Sequence, residues 1–314
     1  MQMPLPVGTH LTLSAIGAQQ QITVQIQELI GTGASCLVYT AVCRDGEQNE
    51  FYLRLKEFCP ENLHLIRQQD GSLLAADEEA FQRQMQSFIW GYQKQMQFRQ
   101  FPESCNSISN VQCVFAGNGT RYIAMNCQNS IPLEQQELSL YDTFRVLRAV
   151  AQQLDNLHQH GYLYLDLKPA NVLLYPETPE LVMLFDFDSA IEKSRLSDAV
   201  ISCTAKWAAP EVLQQNRRKI GVASDVYTLG GLLLYLLFRR APEVKDRRNR
   251  AVWDAEFPDS VLAGTSPEIR RMVTELLRKT LAANPEKRYA SCAELLAQIE
   301  PFLDSFRQPK PYLQ

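Results

Sequence analysis

Apolar and polar residues alternate along Gln21–Ile30 (QITVQIQELI), where Ile22, Val24 and Ile26 stand two apart. A strand half-buried against a core has this period, because successive side chains leave opposite faces. The turn Gly31-Thr32-Gly33 follows, then two further strand-like runs, Leu37–Val42 and Glu50–Phe58. Between them Arg44-Asp45-Gly46-Glu47 carries an Asp-Gly pair, which predicts a hairpin. From Asp77 to Arg99 the period changes. Phe81, Met85, Phe88, Ile89, Tyr92 and Met96 fall on one face of a helix. A strand pair is predicted at Val111–Phe115 and Arg121–Asn126, around Gly117-Asn118-Gly119.

The second half has the helical period. Phe144, Leu147, Val150, Ala151, Leu154 and Leu157 share a face, and Gly161 closes that helix. Ser224 is the predicted cap of an apolar helix that begins near Asp225. Its run Tyr227–Phe238 is the longest apolar stretch, too short to span a bilayer and suited to a buried core helix. Ser266-Pro267 starts a helix with Ile269, Met272, Val273, Leu276, Leu277 and Leu281 inward, and Asn284-Pro285 stops it. Ser291-Cys292-Ala293-Glu294 has the form of a capping box for a last helix. Strands with one helix, then helices with little strand, predict an α+β chain of two lobes. A cleft between lobes is a favoured ligand site.

Composition narrows the classes. The 314 residues are 46% hydrophobic and 21% charged, which excludes wholesale disorder, collagen and a coiled-coil rod. A net charge of −4 gives no chain-wide basic field, so no nucleic-acid partner is expected. Eight cysteines include no C-x-x-C pair and are read as reduced thiols. No basic stretch followed by an apolar core opens the chain, so a cytoplasmic protein with no membrane insertion is expected.

The chemistry concentrates in Leu163–Leu174, which contains Asp166-Leu167-Lys168-Pro169-Ala170-Asn171. A carboxylate, an ammonium and an amide within six residues suit phosphoryl transfer: one orients a hydroxyl, one offsets phosphate charge, one holds a metal. An apolar run, Leu181–Phe185, then ends in Asp186-Phe187-Asp188, offering a second hard oxygen ligand for magnesium. Taken singly, these are a lysine-proline turn and a strand end. Upstream, Gly31 and Gly33 sit between two strands, where a backbone without side chains closes over phosphates, and Lys56 ends a strand.

These motifs, in this order, resemble the eukaryotic-type serine/threonine protein kinases over roughly residues 20–303. The resemblance implies a bilobal α+β fold: an extension at 1–19, a small antiparallel β-rich lobe with one main helix at 20–127, a larger α-helical lobe at 128–303, and a tail at 304–314. It implies ATP and Mg²⁺ as cofactors (Mn²⁺ as an alternative), a protein substrate, and a regulatory protein partner as a further candidate. Gly31, Gly33 and Val38 would enclose the nucleotide. Lys56 would hold its α- and β-phosphates, paired with a helix glutamate. Glu78, Glu79 and Gln84 compete for that last place, and Glu79 is chosen. Met125 would be the gatekeeper, Asn126, Cys127 and Gln128 the hinge, and Leu173 the floor of the adenine pocket. Asp166 would be the catalytic base, Lys168 the γ-phosphate lysine, and Asn171 and Asp186 the metal ligands. Thr204–Glu211 would close the activation segment, with Thr204 bonded to the catalytic loop. Asp225 would brace that loop, and Arg288 would pair with Glu211.

The departures are as specific. Cys36 stands at the third loop glycine, Tyr164-Leu165 replaces His-Arg before the catalytic Asp, and Asp186-Phe187-Asp188 replaces Asp-Phe-Gly. Without the arginine, a phosphorylated activation loop lacks its usual partner. Arg54 takes the place of a small residue over the base, where a guanidinium either stacks or blocks. That residue is the argument for the alternative, a pseudokinase acting as a scaffold. The basic clusters Arg217-Arg218-Lys219 and Arg239-Arg240 through Lys245, Arg247, Arg248 and Arg250 are read as solvated loops or as docking charge for an acidic partner.

Overall fold

A computed structural model of the chain describes residues 2–17, 19–44, 50–98, 111–125, 130–175, 177–247 and 251–307. They form two units, one holding the described residues up to 125 and the other those from 130 onward.

The first unit is built on a closed barrel. Its strands are β1 (His10–Ala15), β2 (Gln21–Thr32), β3 (Cys36–Arg44), β4 (Glu50–Phe58), β7 (Val111–Gly117) and β8 (Thr120–Met125), in the order β1-β2-β3-β4-β8-β7. All neighbours are antiparallel, and β1 closes the ring by pairing Ser14 with Ala116. The stretch set apart in the sequence as an extension thus supplies a barrel strand. Leu11, Leu13 and Ala15 alternate inward on β1, and closure removes the edges that an open sheet exposes. Val24, Ile26, Leu37, Tyr39, Leu53 and Leu55 fill the interior. A two-residue strand pair, β5 (Ile66–Arg67) and β6 (Leu73–Leu74), precedes α1 (Glu78–Phe98). Phe81 and Phe88 of α1 pack against Phe58 with tilted rings, 5.2 and 5.3 Å between centres.

The second unit is mostly helical. Its helices are α2 (Leu140–Gln159), α3 (Pro210–Leu213), α4 (Val222–Phe238), α5 (Ala251–Asp254), α6 (Pro267–Thr280) and α7 (Cys292–Arg307). Between α2 and α3 lie a sheet of β9 (Ile131–Pro132), β11 (Val172–Tyr175) and β12 (Thr178–Leu184), and a pair of β10 (Tyr162–Leu163) with β13 (Ile191–Glu192). The apolar α4 is buried along nearly its whole length. Among the described residues no helix is long and apolar enough to cross a membrane. Gly230 lets α4 approach α6: a Cβ there would lie 2.3 Å from Thr280 Oγ1.

Three local expectations change. Helix α4 starts three residues earlier than Asp225, after Gly221, so Ser224 sits inside its first turn. Its hydroxyl accepts Gly221 N–H at 3.2 Å and donates to Glu211 at 2.7 Å. Helix α6 ends at Thr280, ahead of Asn284-Pro285, and Asn284 caps the following single turn instead. At α7, Ser291 Oγ accepts Glu294 N–H as a capping box requires, but the Glu294 carboxylate takes Ala290 N–H at 2.7 Å. The expected turn at Asp45-Gly46-Glu47, Cys105, the hinge at Asn126, Cys127 and Gln128, Arg248, Arg250 and the tail 308–314 lie outside the described residues. The six described cysteines are free thiols.

Candidate active site

In the second unit the Asp166–Asn171 loop follows β10 and leads into β11. It is held from beneath by Asp225 of α4, a wholly buried carboxylate. That group accepts Tyr164 N–H at 2.9 Å, Leu165 N–H at 2.7 Å and a bond from His158 Nε2 at 2.8 Å. Three donors on one carboxylate fix the loop's path and offset the cost of burying the charge. Leu165 is thereby kept at φ 65°, a left-handed conformation costly for a branched side chain.

The reactive groups then converge. Lys168 Nζ donates to Asp166 Oδ2 at 2.9 Å and to Thr204 Oγ1 at 2.7 Å. Thr204 N–H donates to Asp166 Oδ1 at 2.7 Å. Asn171 Nδ2 donates to Asp166 O and Oδ2 at 2.9 and 3.1 Å. Hairpin register puts Val172 opposite Leu184, and Phe185 N–H reaches Asn171 O at 3.2 Å, so the Asp186 segment emerges beside Asn171. Asp186 also has a left-handed backbone, φ 65°. Tyr164 is buried, donates its hydroxyl to Phe185 O and meets Phe187 edge-on at 5.2 Å. Burial, with the charges of Asp186 and Asp166 adding, holds its phenol well above the usual range. Asp188 is exposed and lacks a positive φ, so the residue at this place needs no glycine.

The segment from Asp186 to Glu211 is tied down within the unit. Glu192 and Ile191 pair with Tyr162 and Leu163, Lys193 Nζ donates to His158 O at 2.7 Å, and Arg217 donates to Leu196 O and Ala199 O at 2.5 and 2.8 Å. At its end Arg288 grips Glu211 with two bonds of 2.7 and 2.9 Å, both side chains buried, as expected for that pair. Three described members of the second basic run find partners inside the unit. Arg240 binds Asp246 and Glu256, Arg239 binds Glu134 O and Gln136 O, and Arg247 binds Tyr227.

In the first unit, β3, β4 and β8 bring Val38, Thr40, Arg54, Lys56 and Met125 onto the barrel's outer face. Val38 lies opposite Lys56, and Arg54 between Thr40 and Met125. Gly31 pairs with Val38 at the base of the glycine turn. Lys56 is buried, with Nζ 5.4 Å from the Phe88 ring centre. Neither Gly31 nor Gly33 has a positive φ, and a Cβ at either would meet only ordinary contacts. Folding does not require glycine at either position.

Comparison with known families matches residues 96–299, about two thirds of the chain, to the protein kinase domain. The chain belongs to the protein kinase domain family. The serine/threonine-protein kinase PknB of Mycolicibacterium smegmatis is 30% identical over 162 residues, 49% of this chain and 25% of that protein. A probable serine/threonine-protein kinase of Streptomyces coelicolor is 30% identical over 167 residues, 52% of this chain and 24% of its own length. Smooth-muscle myosin light chain kinase of Gallus gallus is 28% identical over 156 residues, 47% of this chain and 8% of its own. The matched stretch thus spans a quarter or less of each of these relatives.

The family match begins after the glycine turn and Lys56. The structure brings Asp166, Lys168, Asn171 and Thr204 together in this kinase domain, with Leu173 buried on β11 between Pro132 and Met183. It does not bring Glu79 to Lys56. Glu79 is exposed and paired with Arg83, on the side of α1 about 180° from Phe88, against which Lys56 lies. Gln84 is one turn before Phe88 on the same face. The buried Glu57 was not singled out in the sequence, although it follows Lys56 directly. Arg67 at 2.8 Å and the hydroxyls of Tyr39 and Tyr122 at 3.0 and 2.7 Å converge on it. A charged residue at an inward position of an alternating strand is the signal that points to it.

Proposed function

We propose that this domain transfers the γ-phosphoryl group of ATP to serine or threonine hydroxyls of a protein. The observation that carries the reading is the Asp166–Lys168–Asn171–Thr204 cluster. Asp166 accepts three of its bonds from groups that also fix its rotamer, which leaves a carboxylate aimed rather than free. It orients the attacking hydroxyl and finally takes its proton. Lys168 supplies positive charge beside it for the transferring group, and Lys56 holds the nucleotide's phosphates.

Asn171 and Asp186 fit a magnesium site chemically: an amide and a carboxylate are hard oxygen donors, and the backbone bond from Phe185 N–H to Asn171 O supports the reading by making their chain segments neighbours. Bound there, Mg²⁺ would neutralise charge on the phosphates. The spare glycines favour the same reading, since a turn that folds without them has room for a close ligand. Cys127 as hinge and Glu79 as partner of Lys56 belong to the proposal by resemblance alone. Gln84 is better placed than Glu79.

One observation favours a second reading, a pseudokinase: Arg54 shares the outer face with Lys56 and Met125, where its guanidinium competes for the base's place. Incubation with γ-labelled ATP and generic acidic and basic proteins, in Mg²⁺ and then Mn²⁺, separates the two. Label on serine or threonine, lost in Asp186→Asn, supports the kinase. No label with either metal, in wild type and in Arg54→Ala alike, contradicts it.

A further inference from the structure

The carbonyls of the glycine turn are occupied by donors from the protein. Gly33 O accepts Gln2 Nε2 at 2.8 Å and, at a longer 3.4 Å, Cys36 N–H across the turn; Ala34 O accepts Glu61 N–H at 2.9 Å, and Ser35 O accepts Cys59 N–H at 3.0 Å. In a trans peptide the N–H points opposite to the C=O. Fixing Gly33 O therefore aims Ala34 N–H, and fixing Ala34 O aims Ser35 N–H. Neither N–H has a protein partner among the described residues. Two adjacent aimed donors make a concavity suited to phosphate oxygens.

Two of these anchors are backbone groups just beyond β4 and one is the turn's own Cys36 N–H. The shortest bond to Gly33 O comes from a side chain far away in sequence. Gln2 belongs to a strap, Gln2–Leu5, that the barrel holds in place. Arg67 Nε donates to Met3 O at 2.6 Å, Leu5 N–H donates to Tyr39 Oη at 3.0 Å, and the Leu5 side chain is buried. Arg67 and Tyr39 also bind Glu57, the neighbour of Lys56. Gln2 Nε2 additionally reaches Cys59 O. One side chain thus joins the glycine turn to the end of the strand that carries Lys56.

We propose that Gln2 is a positioning residue: it orients the Gly33–Ala34 peptide so that the turn's N–H groups face the nucleotide phosphates. The proposal rests on the ATP-dependent reading above. It assigns to the Gln2–Leu5 strap the role of setting nucleotide affinity, with no part in the chemical step.

The test uses the full chain with Gln2→Ala, Gln2→Glu, which cannot donate, and Gln2→Lys, which can. KM for ATP rises roughly three- to ten-fold in the first two, the size of one net hydrogen bond, with kcat within about two-fold; Gln2→Lys recovers part of the loss. Two readouts need no activity. Amide exchange at residues 31–37 quickens in Gln2→Ala while Asp166–Asn171 is unchanged. Cys59 provides the second. Its thiol is buried, bonds to the Met3 backbone and lines a cavity of about 400 Å³ together with Gln2, Met3 and Arg67. Burial first, then the Glu57 charge, pushes that thiol up to about 11, so at pH 8 it is almost wholly protonated and slow to alkylate. Peptide-resolved alkylation of Cys59 quickens when the strap lifts.

Unchanged exchange and labelling in Gln2→Ala would overturn the strap. Quickened exchange with unchanged KM would overturn its role toward nucleotide. Should wild type transfer no phosphate, the kinase reading falls by itself, and calorimetric ATP affinity replaces KM: weaker binding in Gln2→Ala than in wild type sustains the proposal, while equal binding in the two, or no binding to wild type, overturns it.

Discussion

Leu165 and Asp186 both hold a left-handed backbone, on either side of the proposed site. Such residues cost about 1 kcal/mol or more each and persist only where surroundings over-determine them. At Leu165 the cause is visible, since Asp225 takes both its N–H and that of Tyr164. Asp225→Ala leaves those two buried donors unpaired, at about 1–3 kcal/mol each, so a drop of several kcal/mol in urea-unfolding stability is expected. An unchanged midpoint would show that the loop holds itself. Asp188 gives the opposite expectation. It is exposed and unstrained, so Asp188→Gly costs at most about 1 kcal/mol from added chain entropy and leaves transfer rates within about three-fold. A collapse of activity in that variant would make Asp188 a participant.

At the scale of elements, the segment from Asp186 to Glu211 is anchored at several points without phosphate: the β10–β13 pair, Lys193 on His158 O, and Arg217 on Leu196 O and Ala199 O. With Leu165 where the resemblance puts an arginine that reads a phosphate, the proposed transfer activity is expected to need no phosphorylation of this segment. Phosphatase treatment should leave its rate unchanged, and a large loss would contradict that. The segment's far end depends on a buried ion pair. Removing one partner of such a pair strands the other, so Arg288→Met should destabilise by about 3–5 kcal/mol, read as a shift in denaturant midpoint. Removing both partners should cost less than the two single changes together.

Over the whole molecule, what was legible followed from periodicity and local chemistry. The alternation in Gln21–Ile30, the helical stripe from Phe81 to Met96 and the buried run Tyr227–Phe238 each appear where the pattern placed them. The Asp166–Asn171 cluster was legible because its members are neighbours in sequence. Barrel closure by His10–Ala15 was not, because a six-residue strand declares nothing about its partner until the ring forms. Nor was the fate of the basic run, since charge alone does not show that Arg240 faces Asp246 and Glu256. Glu79 failed for a geometric reason: a first-turn glutamate satisfies the helix dipole wherever it points, and this one points to solvent.

Asp166 carries the proposed transfer most directly. Single-turnover transfer from γ-labelled ATP to the chain itself and to a generic protein, compared between wild type and Asp166→Ala, measures it directly. The role of Asp166 as general base predicts labelled phosphoserine or phosphothreonine in wild type and a loss of at least about 10²-fold in the variant. Equal labelling in both would contradict it.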